Sequence, residues 1–414
     1  MDRPTITAPA AGPARGGDRR GAPRRLVAAL AITQTAGYGV LYYAFSALLG
    51  SMSRDLGIST ATAAGALTTA VLVTAAMSVP VGRWLDARGG HALMTTGSVL
   101  GVIAVLAWSQ VQTTAELYGT FVLIGVASAM VLYEPAFAVI VAVTAPASRA
   151  NALLGITLVA GFASSIFIPL TGQLVVAFGW RDALLILAVV LAVTTIPLHA
   201  IALRRTAPRR QVAGVRRAGA SRRVLRDPGF WLLAAAFVLH GAALATIAVH
   251  LVLYLTSLGH SPALAATMAG LLGLLSVTGR VVTTLSLRLL PMATIAAGIF
   301  VVQGAAIAVL PFAGQDAGGA VVCLVLFGLG FGVASIATPA ILLDRYGATG
   351  YATIAGTLAT PAIVAKATAP LGGALLAMSV GYRPVILTVA GACLAAGVCL
   401  ALTRRLPAPA KLPG

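Results

Sequence analysis

Apolar residues run in long blocks along this chain, separated by short polar punctuation. The blocks are too long for strands or buried globular helices. A helix needs about 20 apolar residues to cross a bilayer core, and twelve blocks meet that length. They predict spans at 26–50, 59–82, 92–110, 115–143, 150–176, 183–203, 229–256, 263–286, 292–313, 319–343, 351–376 and 384–402. The pattern predicts an all-α integral membrane protein of two six-helix bundles. Residues 1–25 are expected to form a disordered cytoplasmic tail, 26–203 the first bundle, 204–228 a basic cytoplasmic linker, 229–402 the second bundle and 403–414 a second cytoplasmic tail. The first apolar block is too long for a signal-peptide core and no small-residue cleavage site follows it.

Composition agrees. Of 414 residues, 9% are charged and 59% hydrophobic, and the mean hydropathy is +0.97. Soluble domains carry about 25% charged residues, so an ordinary soluble enzyme is excluded. The net charge of +18 would suggest nucleic acid in a soluble chain. Here the bases lie between apolar runs, so the expected partner is the lipid bilayer and not nucleic acid. Twenty-four of the 28 basic residues fall on one side of the spans; Arg54, Arg181 and Arg383 fall on the other, and Lys366 lies inside a span. By the positive-inside rule, both termini are expected in the cytoplasm and the protein in the plasma (inner) membrane.

The halves repeat. Leu56-Gly57-Ile58-Ser59 returns as Leu258-Gly259-His260-Ser261, and Gly179-Trp180-Arg181 as Gly381-Tyr382-Arg383, at one common offset. Two parallel halves related by an axis along the membrane normal can rock about a midplane site, which points to transport.

Six plus six helices, the basic linker and the segment Gly82-Arg83-Trp84-Leu85-Asp86-Ala87-Arg88-Gly89-Gly90-His91 together resemble the major facilitator superfamily. The family signature places Gly, Asp and Gly where Gly82, Asp86 and Gly89 stand; Ala87 replaces its first basic residue, with Arg88 one place later. The resemblance implies that Gly82, Asp86, Arg88 and Gly89 gate the cytoplasmic side. The residues themselves also allow a capped turn, with Gly82 ending one helix and Asp86 preceding the next. Within the superfamily, Gly37-Tyr38-Gly39-Val40-Leu41-Tyr42-Tyr43, Gly279-Arg280 and Ala365-Lys366-Ala367 resemble the monocarboxylate and oxalate–formate branch. In the oxalate–formate antiporter the two cations hold the substrate's carboxylates, so the resemblance implies that Arg280 and Lys366 bind an organic anion.

Polar residues inside spans mark function by default. Gln34, Tyr38 and Tyr42 are spaced i, i+4, i+8 and form one stripe, read as substrate-facing; Tyr42 also suits a membrane interface. Glu134, between Tyr133 and Pro135, is the only carboxylate deep in a span, and Pro135 kinks its helix. It is either the proton-coupling acid or a fixed partner for a base. His240 lies near mid-span, as a substrate contact or as polar packing. Lys366 is roughly 15 Å from its helix end, beyond the reach of snorkelling. Its insertion costs about 2.5–3.5 kcal/mol, which water in a cavity, a substrate anion or a static pair with Glu134 would offset. Arg280 is shallower and could snorkel.

No Cys, His or acid spacing suits a metal, and no cofactor is expected. An enzyme would need a nucleophile–base constellation, which the chain lacks. The reading is therefore a secondary carrier of a small mono- or dicarboxylate by proton symport or anion exchange. Proton-coupled multidrug or metabolite efflux is the alternative, favoured by Glu134 and opposed by Arg280 and Lys366.

Overall fold

The computed structural model describes residues 24–204, 223–287 and 289–407. Most of both expected tails, the linker residues 205–222 and Arg288 lie outside the described residues. In chain order the helices are α1 Arg24–Tyr38, a π-helical turn Gly39–Tyr43, α2 Ala44–Asp55, α3 Thr60–Arg88, α4 Gly90–Gln110, α5 Thr114–Val131, α6 Tyr133–Val143, α7 Pro146–Ala160 and α8 Ala163–Ala202. The second half holds α9 Pro228–Ser257, α10 Pro262–Ser286, α11 Met292–Ala313, α12 Ala317–Gly328, α13 Ala334–Tyr346, α14 Tyr351–Val380 and α15 Tyr382–Arg405. No strand occurs among the described residues.

Ten helical stretches are long and apolar enough to cross a membrane. One of them, Ser148–Ala202, has 55 residues and would be roughly 80 Å long if straight. It bends at Gly179, where φ is +80°, and so makes two crossings. A further crossing is split into α12 and α13. Together these give the twelve spans that the apolar blocks predict.

Three blocks differ from their expected form. The 115–143 block breaks at Leu132, where ψ swings to −155°. The 319–343 block is interrupted by a turn over residues 329–333. The 59–82 block runs on to Arg88, so Gly82 lies inside a helix rather than ending it; the chain turns at Gly89, where φ is +75°.

The sequence repeats fall on matching local structure. Gly57 and Gly259 both take positive φ, as do Gly179 and Gly381, a conformation that glycine adopts without steric cost. Two residues later Ser59 and Ser261 cap the next helix, accepting from the Thr62 and Leu264 N–H groups. Each repeat is thus a helix stop followed by a helix start.

Each half has its own apolar core, with Phe45, Trp108 and Phe121 in the first and Leu251, Leu310 and Phe327 in the second. A further cluster spans both halves, joining Val81, Leu85 and Leu93 to Ile336, Tyr351 and Ile354. It lies at the end carrying Asp86, Arg149 and Arg345, called the basic end below. Along α14 the buried residues crowd into the stretch from Tyr351 to Ala362, with only Gly373 beyond. The halves therefore pack most closely at the basic end, along α3 and the start of α14, while a cavity of about 420 Å³ remains there between Leu153 of α7 and Thr284, Ile336 and Leu343 of the second half.

A polar chamber between the halves

Closure at the basic end rests on small residues and one carboxylate. A Cβ on Gly82 would meet the Ala352 carbonyl, and one on Gly356 would meet that of Ser78, so α3 and α14 touch backbone to backbone. Thr360 donates to the Ala75 carbonyl at 3.1 Å. Asp86 accepts from the N–H groups of Ala352 (3.2 Å) and Thr353 (2.8 Å) and from the Thr353 hydroxyl (2.6 Å). These are free donors of the α14 N-terminus, where a helix favours negative charge. Arg88 stacks over the Trp84 ring on its own helix.

Above this contact Thr74, Ser78, Gly82, Glu134, Ala352 and Gly356 line a space of about 10 Å³, roughly enough for one water. Glu134 reaches it because α6 starts afresh after the break at Leu132. Pro135 supplies the break: it has no N–H for the Val131 carbonyl four residues back. Gln34 fills that vacancy, donating Nε2 to Val131 O at 2.7 Å. Gln34 is fully buried, so it faces this break and not an open cavity.

Lys366 sits mid-way along α14 and is exposed. Its stem packs on α9, close enough that a Cβ on Gly241 would lie 2.8 Å from Cε. It lies within electrostatic reach of Glu134 and His240, yet the ion pairs among the described residues are Arg181–Asp55 and Arg345–Asp227. A static Glu134–Lys366 pair is therefore not formed in this state. The reach of the Glu134 charge, from the other half, puts Lys366 near the face where the two halves meet.

Arg280 is half-buried and spans the two halves. Its Nη1 donates to Thr157 O of α7 at 2.8 Å and its Nε to Gly332 O, in the α12–α13 break, at 3.2 Å. Gly279 beside it lies against the Leu329 carbonyl, which fixes α10 on that break. The guanidinium does not snorkel outward. It lies within electrostatic reach of Tyr43 and Tyr133.

Those tyrosines belong to an aromatic group. Tyr38 contacts Tyr133 (4.6 Å between centroids) and Tyr43 (6.5 Å), and Tyr133 stacks on Phe137. The π-helical turn adds a residue to the α1 period, so the ring contact from Tyr38 passes to Tyr43. Tyr42 is exposed and meets Tyr43 edge-on. A straight-helix projection does not show this shift, and π turns recur at functional sites. His240 is fully buried, stacked on Phe300 and bonded through Nε2 to Gln303 Oε1 at 2.9 Å. It sits behind the chamber wall rather than on it.

Two polar clusters were not legible beforehand. His199 joins Ser98 (2.7 Å) and Thr33 (3.0 Å) inside the first half. Arg345 is buried, paired with Asp227 at 3.1 Å, and donates to the carbonyls of Thr403, Leu406 and Pro407. The only sequence sign was a base beside a helix end, and that reads equally well as a topology charge.

Two helical bundles of membrane-crossing length, packed together through α3 and α14, have the architecture of a membrane transporter. The profile of the Major Facilitator Superfamily matches residues 30–363, and the chain belongs to that family. It is a transporter working by alternating access, not an enzyme. Solved structures agree in fold. A variant of the Escherichia coli fucose:proton symporter FucP aligns with a TM-score of 0.75 at 12% identity, over 91% of this chain and 98% of its own. The human organic anion transporter MFSD10 aligns with a TM-score of 0.72 at 16% identity, over 92% of this chain and 100% of its own. FucP in the outward conformation gives a TM-score of 0.73 at 14% identity, over 91% and 98%. No curated protein matches the sequence.

Proposed function

We propose that the protein carries a small organic anion, a mono- or dicarboxylate, by proton symport or anion exchange, in the plasma (inner) membrane with both termini cytoplasmic. One observation carries this reading: Lys366, within electrostatic reach of Glu134 in the other half, has no ion pair among the described residues. A cation there needs a mobile counter-charge, and a substrate carboxylate supplies it. Arg280 lends a second positive field, and the hydroxyls of Tyr38, Tyr42 and Tyr43 offer hydrogen bonds. Gln34 and His240 support this wall from behind. Glu134 is the coupling acid: protonated, it leaves Lys366 to the substrate; ionised, it competes for Lys366. Gly82, Asp86, Arg88 and Gly89 form the cytoplasmic gate, opened when Asp86 releases the N-terminus of α14. The human organic anion transporter and the fucose:proton symporter among the structural neighbours support the anion and the proton respectively.

The test is flux into proteoliposomes of labelled mono- and dicarboxylates and one cationic dye, with and without a pH gradient. Carboxylate uptake that collapses in Lys366→Gln is the expected result. Dye movement alone would replace this reading by proton-coupled efflux, which the aromatic group of Tyr38, Tyr43, Tyr133 and Phe137 beside Glu134 specifically favours.

A further inference from the structure

Gln34 uses only one end of its amide. Nε2 donates to Val131 O, while Oε1 is buried with no hydrogen-bond partner among the described residues. The second half shows the same device completed. Gln303 donates Nε2 to Phe327 O at the α12 break, 2.7 Å away, and its Oε1 takes the hydrogen of His240. The first half lacks that donor. A buried amide oxygen left unpaired is costly, and the acid nearest along the chain is Glu134, three residues beyond Val131 and just past the break, at the start of α6.

We propose that Gln34 is a positioning residue for Glu134: its Nε2 holds the broken end of α5, and its Oε1 accepts the hydrogen of the protonated Glu134 carboxyl. Ionised Glu134 has no hydrogen to give and is repelled by that oxygen. Protonation from water thus ties α6 to α1 and releases Lys366; loss of the proton to water undoes both. Tyr38 on α1, Tyr133 on α6, and Tyr351 and Lys366 on α14 lie within electrostatic reach of the carboxyl. Lys366 opposes its protonation, and Gln34 supplies the amide acceptor that favours it. The inference rests on Glu134 taking up a proton, as in the proposed function.

The experiment is an infrared pH titration of the full chain in proteoliposomes, which needs no substrate. The carboxylic C=O band lost in Glu134→Gln reports protonated Glu134. In Gln34→Met its midpoint should fall by about one pH unit, tenfold in the protonation constant. Pro135→Ala with Gln34→Met restores a backbone N–H for Val131 O without restoring the acceptor, so its midpoint should stay low. The double variant also serves if Gln34→Met alone does not fold. An unmoved midpoint, a midpoint that returns to wild type in the double variant, or no Glu134 band at any pH would each overturn the proposal. Gradient-driven uptake unaltered in Glu134→Gln would instead sink the coupling reading while leaving a band shift intact.

Discussion

The two halves interrupt corresponding helices by different means. In the first, Pro135 removes a donor and the chain breaks sharply at Leu132. In the second, Gly328, Gly330 and Gly332 allow a looser turn between α12 and α13. Both breaks are held by a buried glutamine from a neighbouring helix, Gln34 or Gln303. What sits at each break differs: a carboxylate in the first half, and in the second two carbonyls that receive Gln303 and Arg280. The mechanical device is common to both halves, while the chemistry at the break differs. On the proposed function, the first half is the side that titrates and the second the side that carries positive charge.

The ion pairs show a parallel contrast. Arg345–Asp227 is buried at the basic end of the second half, with Tyr346 donating to the same carboxylate at 2.7 Å. Arg181–Asp55, at the opposite end of the first half, is exposed, with Trp180 donating to Asp55. Water screens the second pair, so the two should respond unequally to deletion.

That contrast can be broken most directly at Arg345. Arg345→Ala strands Asp227 and three carbonyls, and breaking such a buried pair costs about 3–5 kcal/mol. Thermal unfolding of purified protein should show a large drop, whereas Asp55→Asn should leave the midpoint unchanged. Equal losses would show that the halves rely on their ion pairs alike. The Arg345 pair also carries a pH signature. Burial alone would raise the Asp227 pKa, but hydrogen bonds from Arg345 and Tyr346 hold it below the ordinary carboxylate value. Its contribution is therefore present above the unfolded carboxylate pKa, about 4, and is lost as pH falls through the lower folded value. The stability gap between wild type and Asp227→Asn should close on strong acidification.

The comparison of breaks is sharpened at Gln303. Gln303→Leu leaves Phe327 O short of a donor and His240 Nε2 without its acceptor, at about 1–3 kcal/mol for each unpaired group. The protein should lose thermal stability while the midpoint of the Glu134 titration stays put. A shifted midpoint would mean that the two breaks are not independent.

A smaller effect is expected at the gate. Asp86→Asn keeps one acceptor oxygen but loses the charge at the α14 N-terminus, at about 1 kcal/mol. Labelling of a cysteine placed at Ala75 by a reagent added at the basic end should rise about fivefold to tenfold, as the halves part there more often. Unchanged labelling would show that the glycine contacts of Gly82 and Gly356 keep the gate shut unaided.

Hydropathy and charge by themselves determined the number of crossings, the pairing of the halves and the depth of Glu134 and Lys366, because each depends on the residue and its near neighbours. The stop-and-start repeats at Gly57-Ser59 and Gly259-Ser261 are legible for the same reason. The partners were not. Gln34 reads as one more polar residue on the tyrosine face until Val131, 97 residues away, is seen to want its hydrogen. Asp86 meets Ala352 and Thr353 across 266 and 267 residues, and Arg280 divides itself between Thr157 and Gly332. Helices that are apolar nearly all round carry little sequence record of their rotation about their own axes. Only packing fixes that rotation, and with it which buried polar group faces which.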